Sequence, residues 1–233
     1  MNGQEQVLAE FVGILLGDGY IEKEGYEVKV SLDLVEDKGY APYVKKIFYD
    51  LFKIEIKSYP RSSSRTLDLR VSNKNLHNHI TNHLGMKKSP KAGKAKIPES
   101  LLVERNYPSL LKGYFDTDGC IVDTNNNGTR YPRVEMKICK SPMQEQYVMI
   151  LNSLGFRFGV YNVNDHQVRI QLNGVEQLRK WMKIVGSSNP KNINKARRFL
   201  STCKPLKWKE ENGALAGPIA GVGFEPTAST RVP

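Results

Sequence analysis

Apolar residues recur at helical spacing at the start of the chain. Leu8, Phe11, Val12, Leu15 and Leu16 predict a helix over 7–17, and Asp18-Gly19 stops it because glycine tolerates the left-handed geometry of a helix exit. The period then changes to two: Tyr26, Val28, Val30, Leu32 and Leu34 alternate with Glu27, Lys29, Ser31 and Asp33, which predicts a half-buried strand. Val44, Ile47, Phe48, Leu51 and Phe52 mark an amphipathic helix able to cover the apolar face of the sheet. Strands are predicted near 54–60 and 65–71, where Leu67, Leu69 and Val71 alternate with Thr66, Asp68 and Arg70, and a short helix over 74–84 follows.

The same order then repeats. A helix over 108–117 leads into strands near 120–124 and 131–139; Met143, Tyr147, Ile150, Leu151 and Leu154 give a covering helix. Strands near 156–162 and 167–172 precede a helix carrying Val175, Leu178, Trp181, Met182 and Val185, and 191–201 predicts one more, basic helix. Each half reads α-β-β-α-β-β-α, an internal duplication at the level of structure. The fold class is therefore α+β, with half-domains over 1–86 and 101–205, a basic linker over 87–100, and a segment over 206–233 expected to be a disordered tail. That last segment is Gly/Ala/Pro-rich and has no apolar periodicity.

The duplication shows in two strings, Phe11-Val12-Gly13-Ile14-Leu15-Leu16-Gly17-Asp18-Gly19 and Leu111-Lys112-Gly113-Tyr114-Phe115-Asp116-Thr117-Asp118-Gly119. Each is an apolar run ending in Asp-Gly, with a glycine five residues before the final aspartate. One such helix end is ordinarily just a turn. Two in matching places suggest side-by-side helices, with Gly13 and Gly113 allowing close backbone approach and Asp18 and Asp118 emerging together. Both negative dipole ends would then point at one spot, where carboxylates and main-chain oxygens make a hard-oxygen site suited to Mg²⁺ or Mn²⁺. Divalent ions there could activate water for phosphodiester hydrolysis.

Charge points the same way. Of 233 residues, 35 are Lys or Arg against 24 Asp or Glu, a net charge of +11, which favours a polyanionic partner, most commonly nucleic acid. No run of about 18 apolar residues could span a membrane, and Met1–Gln6 lacks the features of a signal peptide, so a cytoplasmic location is expected, nucleoid-associated in a prokaryote. Cys120, Cys139 and Cys203 form no C-x-x-C pair and are read as reduced and structural. His79 and His83 have metal-pair spacing, but without an evident third ligand His77, His79 and His83 are read as polar surface or DNA contacts.

The polar strand faces would meet the double-stranded DNA: Lys29, Ser31, Arg65 and Arg70 in one half, Arg133, Lys137, Arg169 and Gln171 in the other. Glu27, Asp33, Asp68 and Glu135 on those faces would contact cytosine or pair with neighbouring basic side chains. The Lys-rich linker 87–96 is either a solvated tether or a phosphate contact. Ser89-Pro90-Lys91 and Asn189-Pro190-Lys191 occupy equivalent places, so Lys91 and Lys191 could stabilise charge on the transferring phosphoryl group.

With these motifs the chain resembles the LAGLIDADG homing endonucleases of the single-chain, two-motif type, over about residues 7–200. The resemblance implies a pseudo-twofold saddle of two antiparallel sheets. It also implies metal-dependent cleavage of both strands of a long DNA site, here non-palindromic because the two halves differ. It makes Asp18 and Asp118 the metal-binding catalytic acids, with Gly17 and Thr117 supplying carbonyls, and it places Glu36 and Lys140 at second-tier positions that bind water or phosphate. The motif departs from the family at Phe11, Leu16 and Lys112, the last standing where a small interface residue is usual, which argues against close helix packing. A monomer is expected. The alternatives are an intron maturase binding intron RNA and a non-cutting DNA-binding regulator on the same scaffold. In the final segment, codons for Gly223-Phe224-Glu225-Pro226 can spell the T-arm core of a transfer RNA gene, so an intron reading frame running into an RNA exon is weighed against an ordinary tail.

Overall fold

Two helices whose apolar residues are buried nearly all round form the centre of the protein. In α1 (Asn2–Leu16) Phe11, Val12, Ile14, Leu15 and Leu16 are all buried, as are Leu110, Leu111, Tyr114 and Phe115 in α4 (Tyr107–Asp118). A helix of this kind must be surrounded by other elements. The computed structural model describes residues 2–202; the segment over 206–233, the transfer-RNA-like string and Cys203 lie outside them.

Around the helix pair the two halves repeat one topology. The first runs β1 (Gly19–Ile21), β2 (Glu27–Asp33), α2 (Ala41–Phe52), β3 (Lys57–Pro60), β4 (Thr66–Ser72) and α3 (Lys74–Asn78). The second has β5 (Gly119–Asn126), β6 (Thr129–Cys139), α5 (Pro142–Ser153), β7 (Gly159–Asn164), β8 (Gln167–Asn173), α6 (Val175–Ile184) and α7 (Pro190–Thr202). Each forms a four-stranded antiparallel sheet, in the orders β1-β2-β4-β3 and β5-β6-β8-β7. The fold is thus the α+β duplication that the periodicity predicts.

Alternation does the work in the strands. Val28, Val30 and Leu32 of β2 and Val168, Ile170 and Leu172 of β8 are buried, and their neighbours turn to the opposite, open face. The covering helices α2 and α5 each carry a proline, Pro42 and Pro142, in the first turn, which its fixed φ suits. β1 escaped the periodicity because it is three residues long and starts at the helix exit. The exit glycines are not left-handed as expected: Gly119 is extended at φ -106°, and a Cβ on Gly19 would lie 2.4 Å from Leu15 O, so close approach is what requires glycine there. The predicted 74–84 helix is α-helical to Asn78 and then widens into a π turn over His79–His83.

The helices α1 and α4 meet at their glycines. A Cβ on Gly13 would lie 2.4 Å from Leu110 O and 2.9 Å from Tyr114 N; one on Gly113 would lie 2.1 Å from Glu10 O. Only glycine permits this approach, and it brings Gly17 against Thr117 one turn later. Lys112 does not prevent it: its ammonium swings to the flank and pairs with the buried Glu10 at 2.8 Å.

The connector is docked rather than free. Ala95, Ile97 and Pro98 are buried, Gln146 of α5 clamps Ile97 through both its N–H and its carbonyl, and Met143 N donates to Ala95 O.

Replacing Gly13 by alanine should destabilise the protein by about 2–3 kcal/mol, because the obstructing atoms are backbone. Gly3→Ala, which meets open space, should stay within about 0.5 kcal/mol of wild type. Urea unfolding of the two variants checks both.

Candidate catalytic centre and nucleic-acid interface

Asp18 and Asp118 leave the C-terminal ends of α1 and α4 side by side. A Cβ on Gly17 would sit 2.1 Å from Thr117 Oγ1 and 3.3 Å from Asp118 Oδ2, so the two motif ends are in contact. Asp18 O accepts from Ser31 N of β2 at 3.1 Å, fixing the first exit to its sheet. Asp18 is half-buried, and Asp118, though its residue is exposed on one side, is desolvated around its carboxylate as Asp18 is. This desolvation raises both carboxyl groups above the ordinary range; repulsion from Asp118 and Asp37 adds to it at Asp18, while Lys91 opposes it at both.

The two lysines in equivalent sequence contexts are held differently. Lys91 Nζ donates to the carbonyls of Leu15, Leu16 and Gly17 at 2.6, 2.9 and 2.8 Å, and burial lowers its pKa to about 8. Lys191 Nζ instead donates to the buried Asp37, 2.8 Å from Oδ1, with Glu36 Oε2 3.9 Å away. Asp37 also accepts from Asn189 Nδ2 at 2.8 Å and Asp33 N at 3.2 Å. Sequence reasoning missed Asp37. Its string Val35-Glu36-Asp37-Lys38 reads as a solvated loop, and no periodic signal separates the buried acid from the half-exposed Glu36.

A polar layer lies beside the helix pair. Asp116, fully buried, accepts from Ser187 Oγ, Ser188 N and Asn192 Nδ2, and its carbonyl accepts from Asn189 Nδ2 at 3.0 Å. Burial pushes its carboxyl up to about 6 against those hydrogen bonds. Tyr43 and Ser188 hydroxyls both donate to Glu10 Oε1, so the loop after α6 ties the second half to the first.

The basic residues singled out for DNA are cross-strand neighbours. Lys29 stands opposite Arg70 and Ser31 opposite Asp68 in the first sheet; Lys137 stands opposite Arg169 and Glu135 opposite Gln171 in the second. In the first sheet acids hold the cations: Glu27 lies 3.9 Å from Lys29 and 3.7 Å from Arg70, Asp33 bonds Arg65 at 3.1 Å, and Asp68 takes Ser31 Oγ at 2.7 Å together with Arg61. Lys29 and Arg70 also lie over the rings of Tyr20 and Tyr59, at 4.7 and 3.9 Å. In the second sheet Arg133 Nε lies 2.9 Å from Glu135, whereas Lys137 and Arg169 have no ion-pair partner among the described residues and Arg169 Nε is buried without a hydrogen bond. Gln171 lines a cavity of about 360 Å³ with Tyr161 and Arg157. Lys140 is exposed beside a cleft bounded by Ala92, Gly93, Asp165 and His166.

The histidines do not converge. His77, expected at the polar surface, is instead buried and bonded through Nε2 to Glu22 O at 2.9 Å, while the His79 and His83 rings lie 5.5 Å apart and tilted by 36°. Among the described residues no group of three His, Cys, Asp or Glu side chains could hold a metal; Asp18 and Asp118 are two carboxylates at adjoining helix ends.

No protein-family model matches the chain. A replication factor C small subunit of Methanocaldococcus jannaschii is 26% identical over 208 residues, covering 85% of this chain and 10% of that protein. This chain therefore spans a tenth of that relative's length. Among solved structures, full-length WhiA from Thermotoga maritima matches with a TM-score of 0.60 at 12% identity, over 88% of this chain and 63% of that one. The homing endonuclease I-DmoI, in complex with DNA and Mn, matches with a TM-score of 0.54 at 18% identity, over 80% of this chain and 99% of that one. The N-terminal LAGLIDADG domain of WhiA matches with a TM-score of 0.54 at 11% identity, over 79% of this chain and 84% of that one. These likenesses establish the LAGLIDADG fold. No helix among the described residues is long and apolar enough to cross a membrane.

Lys112→Ala should destabilise the protein by about 3 kcal/mol, because it leaves Glu10 buried without its cation. Pairing it with Glu10→Gln should restore part of that loss, measured by denaturant unfolding of the singles and the double variant.

Proposed function

We propose that the chain is a site-specific DNA endonuclease of the LAGLIDADG type, hydrolysing phosphodiester bonds with Mg²⁺ or Mn²⁺ at a long, non-palindromic site. The observation that carries this reading is the convergence of Asp18 and Asp118 at paired helix ends, each helix leading directly into a sheet with an open polar face. The donor set fits a hard divalent cation: two carboxylates whose charged forms are disfavoured by desolvation gain from a cation between them, with the Thr117 carbonyl on the α4 side. A bound ion there would supply Lewis acidity, activating water and stabilising charge on the leaving oxygen. Both acids belong to one chain, so a monomer suffices, with residues 1–86 and 101–205 each reading one half-site.

The protein's own contribution is binding and orientation. Lys137 opposite Arg169 is a like-charge cross-strand pair, unfavourable until an anion lies across it. In the first sheet, carboxylates and tyrosine rings hold the cations in fixed directions, which suits base-edge contacts more than backbone attraction. I-DmoI, crystallised with its target DNA and with Mn or Mg, is a solved neighbour consistent with this reading.

A second reading, a non-cutting DNA-binding regulator, is favoured by one observation. Lys91 already occupies the α1 carbonyls, among them Gly17 O, that would complete a metal site.

The test is cleavage of a plasmid carrying the joined sequence that flanks the reading frame. Wild type should linearise it with Mg²⁺ or Mn²⁺ and not with EDTA, and Asp18→Asn or Asp118→Asn should lower the rate by at least about 100-fold while binding persists. Binding by wild type without any nicking would leave the regulator. Alanine at both Lys137 and Arg169 should weaken binding and reduce the salt dependence by about two ion equivalents, measured by fluorescence anisotropy at several salt concentrations.

A further inference from the structure

An ammonium group has three hydrogens, and at Lys91 all three are used. Leu15 O, Leu16 O and Gly17 O accept from Nζ at 2.6, 2.9 and 2.8 Å. These carbonyls are at or just past the end of α1, where the chain supplies no helical N–H to meet them, and where the helix dipole favours a cation. The lysine's own backbone is pinned. Lys91 O accepts from Lys94 N and Ala95 N at 3.1 and 2.9 Å, and two residues earlier Ser89 N donates to Ile21 O while Ser89 Oγ accepts from Ile21 N. At α4 the corresponding place is filled differently: Asn189 Nδ2 donates to Asp116 O, and Lys191 points to Asp37.

Resting on the metal-dependent reading above, we propose that Lys91 is a resident cation of the fold. It closes the end of α1 and keeps the Gly17 carbonyl from any divalent ion, so that an ion between Asp18 and Asp118 draws its main-chain oxygen from Thr117 alone. Lys91 is then a structural cation of the helix end, held by the three carbonyls, and it does not contact the transferring phosphate. The two halves of the centre are chemically unlike, one closed by an internal ammonium and the other open.

Nuclear magnetic resonance of the ¹³C,¹⁵N-labelled 233-residue chain at mildly acidic pH tests this without any cleavage. A caged ammonium exchanges its hydrogens slowly and gives a ¹H–¹⁵N signal, which couplings from Nζ across the hydrogen bonds to the carbonyl carbons of Leu15, Leu16 and Gly17 assign without a variant. The signal and its couplings should be present in metal-free protein and persist on addition of Ca²⁺ and then of a DNA duplex. Absence of the signal from metal-free protein would overturn the proposal, as would loss of the Gly17 coupling on adding Ca²⁺ or loss of the signal on adding DNA. A failure of the nuclease reading shows separately, as absent cleavage with the ammonium signal intact. As a second measurement, Lys91→Arg, whose planar group cannot satisfy three converging carbonyls, should lower the melting temperature of metal-free protein; an unchanged value would also count against the cage.

Discussion

The contact between Gly13 and Gly113 is the constraint on which the rest of the structure depends. With less than a side chain's width between the backbones, α1 and α4 cannot slide or rotate without collision, and their exits are fixed relative to each other. Because each exit continues into the first strand of a sheet, the same contact sets the spacing of the carboxylates and the placement of the polar faces. A gap of one methyl group at this point would propagate to both.

Topological symmetry does not extend to the polar wiring. Glu10 pairs with Lys112 across the helices, and Asp116 is enclosed by the Ser187–Asn192 segment. Pro190 packs on Gly39 of the first half, 3.2 Å from where a Cβ would stand. The second half thus reaches across to the first, whereas the equivalent segment of the first half, around Ser89 and Lys91, folds back onto its own β1 and α1. Burying so many polar groups is tolerable because nearly every one is paired; Tyr40 Oη and Asn192 Oδ1 are the exceptions within this layer.

The fold was legible wherever one periodicity held for several residues. The alternation of Val28, Val30 and Leu32 and the run around Phe11 found their elements, and the repeated Asp-Gly ends announced the duplication. Short β1 and the π turn over His79–His83 were not legible, since three residues carry no period and a widened turn keeps the helical pattern. At the site, the pairing of the two aspartates was visible in the motifs, but the different fates of Lys91 and Lys191 were not. Identical local context, Pro followed by Lys, leads to carbonyls in one case and to Asp37 in the other, because the choice is made by residues more than 70 positions away. Lys112 misled for a related reason: a long side chain at a crowded interface can carry its charge to the edge when an acid waits there.

The central claim is that the helix contact makes Asp18 and Asp118 one cation site rather than two neighbouring acids. Calorimetric titration of Ca²⁺ into wild type, Asp18→Asn, Asp118→Asn and the double variant, in the presence of duplex DNA, tests it most directly. Each single substitution should abolish as much of the binding as both together, because neither carboxylate suffices alone. Independent, additive losses, or binding that survives both substitutions, would contradict it.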